Sequence, residues 1–306
     1  MKSESTKIMI NADTENSRPE KNDKASYSED FVENEESTSE RAVRSVLKKY
    51  RKKIWAPFVS AIKEYELIKE NDKIAVCLSG GKDSALLAVL MKQLQAHSDF
   101  PFEVKFLSMD PGYNDANKRK IIENCRKLEI DTSYFETNIF SVAEKQEKNP
   151  CYLCARMRRG YLYTFARELG CNKIALGHHF SDVIETTLMG MLWGAQIQGM
   201  LPKLHSTNYD GMELIRPLYK VHEDDIISWT RYNELDFLRC ACKMTEKSGY
   251  DEDASKRKQT KMLIKELKKT NPDVEKCIFN AIHKVNADTM CGYKINGEWH
   301  SFLDTY

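Results

Sequence analysis

The stretch Lys73-Ile-Ala-Val-Cys-Leu-Ser-Gly-Gly-Lys-Asp-Ser84 constrains this chain more than any other. Six mostly apolar, β-leaning residues, Lys73 to Leu78, end at Ser79-Gly80-Gly81, and Asp83-Ser84 opens the apolar run Ala85-Leu-Leu-Ala-Val-Leu-Met91. That pattern reads as a buried strand, a glycine turn and a helix. Glycine lets a backbone approach a ligand closely, and the unsatisfied N–H groups of such a turn attract anions. Lys82 and the hydroxyls of Ser79 and Ser84 crowd the same place, so a phosphate fits it. For a bare Gly-Gly the plainer reading is an ordinary strand-to-helix connection. The spacing matches neither Gly-x-Gly-x-x-Gly nor Gly-x4-Gly-Lys-Ser/Thr, which sets aside the dinucleotide fingerprint and the Walker loop.

Around this stretch the periodicity predicts an α/β fold. A helix of about 25 residues from Glu40 places Val43, Val46, Leu47, Ile54, Phe58, Ile62 and Tyr65 on one side. Strands are expected at 73–78, 103–109, 132–136, 173–177 and 212–216, with helices at 116–128, 151–169, 183–193 and 223–235 and a polar connector at 141–148. The β-α-β-α-β order implies a parallel five-stranded sheet with helices on both faces, and it places ligands beyond the carboxyl ends of the strands. Asp110, at the end of the second strand, falls on that edge with the glycine turn, where it either meets a ligand or caps its own turn. Helical additions flank the sheet, with helices at 254–269, carrying Met262, Leu263, Ile264 and Leu267 inward, and at 272–285. The expected organisation is a leader at 1–39, a basic helix at 40–70, a nucleotide-binding domain at 71–235 and a C-terminal helical region at 236–306.

Charge is segregated. Residues 1–39 hold ten acids against five bases and almost no apolar clustering, and disorder is expected there. Arg41 to Lys53 holds seven bases and no acid, which suits either a polyanion such as RNA or a solvated helix face. No apolar run approaches the roughly 18 residues of a membrane span, and the N-terminus lacks the apolar core of a secretory signal. A cytoplasmic protein with no membrane partner is expected.

Nine cysteines in 306 residues are too few for a disulfide scaffold. Cys77, Cys171 and Cys277 read as small core residues. Cys151 and Cys154, at i and i+3 of a helix start, can reach one metal centre. Zinc would borrow Cys240 and Cys242, whereas thiolate-bound iron and sulfur need one or both, and the cysteines alone leave the two even.

Residue for residue, Ser79-Gly-Gly-Lys-Asp-Ser84 resembles the PP-loop signature of ATP pyrophosphatases, enzymes that cleave ATP to AMP and pyrophosphate while adenylating a substrate. Further motifs follow in order: Cys151-Tyr-Leu-Cys-Ala-Arg-Met-Arg-Arg-Gly160, Lys173-Ile-Ala-Leu-Gly-His-His179 with Asp182, Gly199-Met-Leu-Pro-Lys203, Ile215-Arg-Pro217 and the region of Cys242. Together they resemble the tRNA 2-thiocytidine synthetase (TtcA) family over roughly residues 41 to 291.

The resemblance implies a PP-loop, HUP-like fold and an ATP-dependent tRNA sulfurtransferase that adenylates a pyrimidine carbonyl, cytidine C2 in the first instance, and replaces oxygen by sulfur. It implies a [4Fe–4S] cluster held by Cys151, Cys154 and Cys242, with Cys240 as the alternative third ligand. ATP would be bound by Ser79, Gly80, Gly81, Lys82, Asp83, Ser84, Asp110, Arg156, Gly177 and Ser181, with Asp83 and Asp182 positioning Mg²⁺ and Arg158 near the reacting centre. Implied partners are tRNA and a sulfur donor, a cysteine desulfurase or free sulfide, with a homodimer as a candidate assembly. The chain departs from the family in Cys240-Ala-Cys242, one residue shorter than the usual Cys-x-x-Cys, and in Ser181-Asp182, where two carboxylates are common. Two other classes remain open: a PP-loop enzyme that amidates or ligates another substrate, and a non-catalytic zinc or RNA-binding module.

Overall fold

The computed structural model describes residues 36–145, 150–238 and 256–306, with backbone alone at positions 150 and 151. Most of the acidic leader, together with Cys240 and Cys242, therefore lies outside the described residues. Helix α1 (Thr38–Leu47) starts with a capping box: the Ser37 hydroxyl accepts the Glu40 N–H, and the Glu40 carboxylate accepts the Ser37 N–H.

The single 25-residue helix expected here is broken, because a π-turn at Arg51–Trp55 separates α1 from α2 (Ala56–Glu64). Pro57 supplies the reason. It has no N–H for the usual acceptor four residues back, and the turn before it widens so that the Ala56 N–H reaches the Arg51 carbonyl five back.

Then come β1 (Lys73–Leu78), α3 (Lys82–Ala96), β2 (Glu103–Asp110), α4 (Asp115–Lys127), β3 (Thr132–Glu136), α5 (Ile139–Glu144) and α6 (Pro150–Glu168). The central stretch closes with β4 (Lys173–Ala175), α7 (Phe180–Gly194), β5 (Lys203–His205), β6 (Glu213–Ile215) and α8 (Glu223–Tyr232). The sheet has six strands rather than five, in the order β3-β2-β1-β4-β6-β5. All neighbours pair in parallel except β5, which lies antiparallel to β6 at the edge. Three residues with only Leu204 apolar leave no alternation to read, which is why β5 is invisible in the sequence. Helix α5 likewise replaces the expected polar connector, burying Ile139, Phe140 and Ala143.

The described chain divides into two compact units, one of Met1–His179 with Pro202–Gly249 and one of Phe180–Leu201 with Tyr250–Tyr306. In the first, consecutive residues of β1 alternate between two cores. Ile74, Val76 and Leu78 join the cluster that contains α3, while Ala75 and Cys77 join Tyr163 and Ala166 of α6. A strand buried on both faces reads as a continuous apolar run, as β1 does. Burial also pushes the Cys77 thiol up to about 12, with Cys171 adding to the effect. Cys77 and Cys171 are thus packing residues.

At the opposite end of the strands from the glycine turn, the buried Lys173 ammonium is held by Asp72 at 2.8 Å, Glu213 at 3.0 Å and the Leu67 carbonyl at 3.0 Å. It ties the entrances of β1, β4 and β6 together. Removing one partner of a buried charge cluster strands the others, so Lys173→Ala is expected to cost about 3–5 kcal/mol of stability. A fall in the urea midpoint at unchanged slope is the readout.

The second unit contains α7, α9 (Lys256–Thr270), α10 (Val274–Ala281) and a hairpin of β7 (Gly292–Ile295) and β8 (Glu298–Ser301) turned at Asn296-Gly297. Both turn residues have positive φ, as a two-residue hairpin turn requires. The aromatic C-terminal end is thus a hairpin rather than a helical addition. Phe180, Ile184 and Ile264 form the buried centre, with the Phe180 and Phe279 rings stacked at 4.7 Å. The inward face expected of α9 shrinks to Thr260 and Ile264, since Met262, Leu263 and Leu267 are exposed. Cys277 is exposed as well and is not a core residue.

Candidate active site

Where β1 ends, the chain must turn sharply, and Gly80 does so at φ +82°. A Cβ there would also lie 2.7 Å from Ile121 Cγ1, so both conformation and space demand glycine. Gly81 caps α3 in an extended conformation, and Lys82 and Asp83 begin the helix. The buried Ser84 hydroxyl accepts the Ser79 N–H at 3.1 Å and donates to the Gly81 carbonyl at 2.9 Å. It staples the turn from inside, so Ser84 shapes the concavity while Ser79, Gly81, Lys82 and Asp83 line it. The Leu238 N–H caps the Gly80 carbonyl at 3.1 Å.

Lys82 lies 3.1 Å from Asp83 and 3.3 Å from Glu223, the first residue of α8. Burial works against its charge, but the two carboxylates outweigh burial and raise its pKa, so it is an ammonium at neutral pH. Oδ1 of Asp83 is buried, 3.1 Å from the Lys82 ammonium and 3.7 Å from His179 Nε2. Gly177, just past β4, passes so close to the start of α3 that a Cβ would sit 3.0 Å from the Asp83 carbonyl carbon and the Ser84 nitrogen.

The turn opens into a cavity of about 730 Å³, within the range of small-molecule sites. Tyr113, Phe140, Arg158 and Arg231 also line it. Arg158 of α6 donates to the Tyr113 hydroxyl at 2.8 Å, and Tyr113 donates in turn toward the Ser79 carbonyl at 3.5 Å. Burial raises the pKa of Tyr113, Arg158 pulling the other way, so its hydroxyl is protonated and able to make both contacts. The Arg158 guanidinium lies 5.8 Å from the Phe140 ring centre. Cys154, one helical turn before Arg158, is buried.

Not every expected residue gathers there. Arg156 is exposed on α6 and does not line the cavity. Asp110 accepts the Gly112 and Tyr113 N–H groups at 2.7 and 2.6 Å and pairs with Lys118 at 2.7 Å. Burial works to raise its pKa, but Lys118 and the two amides outweigh burial and hold the carboxyl below its usual range. It caps its own turn. Tyr113 and Glu223 are the residues sequence reasoning missed. Tyr113 carried a weak signal, following Asp110-Pro-Gly at a strand's carboxyl end, whereas the meeting of Glu223 with Lys82 is a long-range contact with no local signature.

The PP-loop domain model matches residues 41–246. The tRNA-cytidine(32) 2-sulfurtransferase of Geotalea uraniireducens is 35% identical over 230 residues, 74% of this chain and 88% of that protein. The enzyme of that name from Coxiella burnetii is 32% identical over 263 residues, 84% of this chain and 96% of that protein. The chain belongs to the PP-loop family, in its tRNA 2-thiocytidine synthetase branch. The U34-tRNA thiolase NcsA from Methanococcus maripaludis, solved with its [4Fe-4S] cluster, superposes with a TM-score of 0.59 over 79% of this chain and 82% of that one. At 20% identity that likeness establishes the PP-loop fold alone.

Cys151 and Cys154 both fall in α6, and Cys154 is buried. Among the described residues no group of three or more His, Cys, Asp or Glu is gathered for a metal. Ser181 and Asp182 open α7 in the second unit, where Asp182 pairs with Arg257 at 2.7 Å and Glu185 joins the same guanidinium at 3.3 Å. No described helix is long and apolar enough to cross a membrane.

Proposed function

We propose that this chain is an ATP-dependent tRNA 2-sulfurtransferase of the cytoplasm that acts on cytidine 32, the nucleotide in the name of its relatives. One observation carries the reading: α6 brings Arg158 into the same cavity as the Ser79–Asp83 turn, one helical turn beyond Cys154. That supports a site in which the groups proposed to activate the substrate adjoin the helix of a cysteine proposed to hold the cluster.

A pyrimidine carbonyl oxygen is a poor leaving group. Its attack on the α-phosphate of ATP forms an O–P bond and expels pyrophosphate; sulfide then bonds C2, and AMP departs with the former carbonyl oxygen. The amides of the glycine turn and the Lys82 ammonium hold the departing phosphates, and Arg158, oriented by Tyr113, faces the charge that grows as they leave. Asp83, the carboxylate that lines the cavity beside the turn, is the group a Mg²⁺ ion would take, in competition with the Lys82 ammonium. Cys151, Cys154 and Cys242, or Cys240 in its place, would hold a [4Fe–4S] cluster, which would supply a binding place for the sulfide that replaces the oxygen; that sulfide would be taken up free or released from a cysteine desulfurase persulfide by a thiol reductant.

Expression in a host lacking its own tRNA 2-thiocytidine synthesis tests this. Appearance of 2-thiocytidine at position 32, by mass spectrometry of tRNA fragments, is expected. Its absence from cells containing folded, iron-loaded protein would rule out the proposal in favour of another adenylated substrate. Gly177→Ala should crowd the start of α3, weakening ATP binding about tenfold and costing about 1–3 kcal/mol of stability. Calorimetric titration with ATP and a thermal melt measure the two.

A further inference from the structure

In the π-turn between α1 and α2, Ile54 and Trp55 are buried, which leaves Arg51, Lys52 and Lys53 outward beside Lys48 and Lys49. Some of the neighbouring cations are committed. Lys53 pairs with Asp225 at 3.1 Å, Arg44 pairs with Glu36, and Arg41 lies 3.7 Å from Glu234 while donating to the Asn233 carbonyl at 2.7 Å. Lys48, Arg51 and Lys52 form no ion pair with any described residue. A merely solvated basic face would stop there.

This one continues to the cavity. The Lys49 ammonium sits 3.7 Å from the ring centre of Tyr232, an aromatic residue at the C-terminus of α8 that is 43% exposed. The residue before it, Arg231, lines the cavity that holds Arg158 and the glycine turn, and it too lacks an ion pair among the described residues. Cations in a row with an exposed ring between them are the combination that binds single-stranded nucleic acid, phosphates to the charges and a base to the ring.

We propose that Lys48, Lys49, Arg51, Lys52, Tyr232 and Arg231 form the track along which a single-stranded loop of tRNA reaches the cavity, with Tyr232 stacking a base beside the target nucleotide. The inference rests on the tRNA reading given above. Lys49 now covers the Tyr232 ring; a stacked base takes that place and releases the ammonium to a phosphate.

The test is tRNA binding by the full chain over a range of salt concentrations, with ATP affinity as the control for an intact fold. The triple variant Lys48→Ala/Arg51→Ala/Lys52→Ala should weaken tRNA binding about 10–100-fold and flatten the slope of log K against log salt by about 2, since each lost single-strand phosphate contact removes about 0.7. Tyr232→Ala should weaken binding about 5- to 150-fold, whereas Tyr232→Phe, which keeps the ring, should bind as the wild type does. A triple variant with unchanged affinity and salt slope, beside a wild type that binds and thiolates tRNA, overturns the track alone. Equal losses in Tyr232→Ala and Tyr232→Phe overturn the stacking role. A wild type that binds no tRNA overturns this inference together with the reading beneath it.

Discussion

Replacing Cys154 with serine is expected to abolish tRNA thiolation and strip the protein of iron and acid-labile sulfide, while ATP binding stays unchanged. A hydroxyl matches the thiol in shape but is a hard, weakly acidic donor, whereas iron–sulfur clusters are held by thiolates. In the proposed ligand set of three cysteines, the two that remain would not hold the centre. The nucleotide-binding groups sit on the turn between β1 and α3, a different element from α6, and none of them bonds to Cys154 in the hydrogen bonds that shape the turn. Cys154 is buried, so some stability is lost with it, on the order of 1–3 kcal/mol for placing a more polar hydroxyl in a buried position. Iron per chain, ATP affinity and 2-thiocytidine yield separate the effects. A variant that keeps its iron and its cluster absorbance would remove Cys154 from the ligand set.

How much of this site the sequence disclosed follows from how local each part is. The glycine turn was legible because a buried strand, two glycines and a helix start are consecutive, and the structure builds them from those residues alone. The parallel sheet was legible because each strand is separated from the next by a helical pattern. The pieces that escaped depend on neighbours distant in sequence. Glu223 reaches Lys82 across 141 positions, and β5 exists only because β6 is beside it. Periodicity failed in a different way at α9. Met262, Leu263 and Leu267 are as apolar as Ile264, but a helix packed along one narrow stripe buries only part of its apolar set. Cys277 was misjudged for the same reason, since a small thiol on a helix says little about which face is covered.

Burial also decides which groups can act. Ser84 and Ser79 look equivalent in the motif, yet the buried Ser84 hydroxyl is consumed by the Ser79 amide and the Gly81 carbonyl, while Ser79 lines the cavity. Asp83 and Asp110 look equivalent as carboxylates at strand ends. Asp110 is saturated by two amides and Lys118, whereas Asp83 lines the cavity with Lys82 beside both of its oxygens.

Arg158→Ala is expected to lower kcat for thiolation by about 10²–10³, equivalent to about 2.7–4 kcal/mol of lost transition-state stabilisation. KM for ATP should change far less, because the side chain is set to meet charge that develops during adenylation rather than charge already on ATP. Its orientation comes from the Tyr113 hydroxyl at 2.8 Å, itself directed at the Ser79 carbonyl, and from the Phe140 ring behind it. Arg158→Lys should recover little, since an ammonium lacks the planar fork that can bond Tyr113 and a phosphoryl oxygen together. Single-turnover kinetics with saturating tRNA make the measurement decisive. If the deficit vanishes at saturation, the arginine binds tRNA phosphate; if it persists, the arginine serves the chemical step.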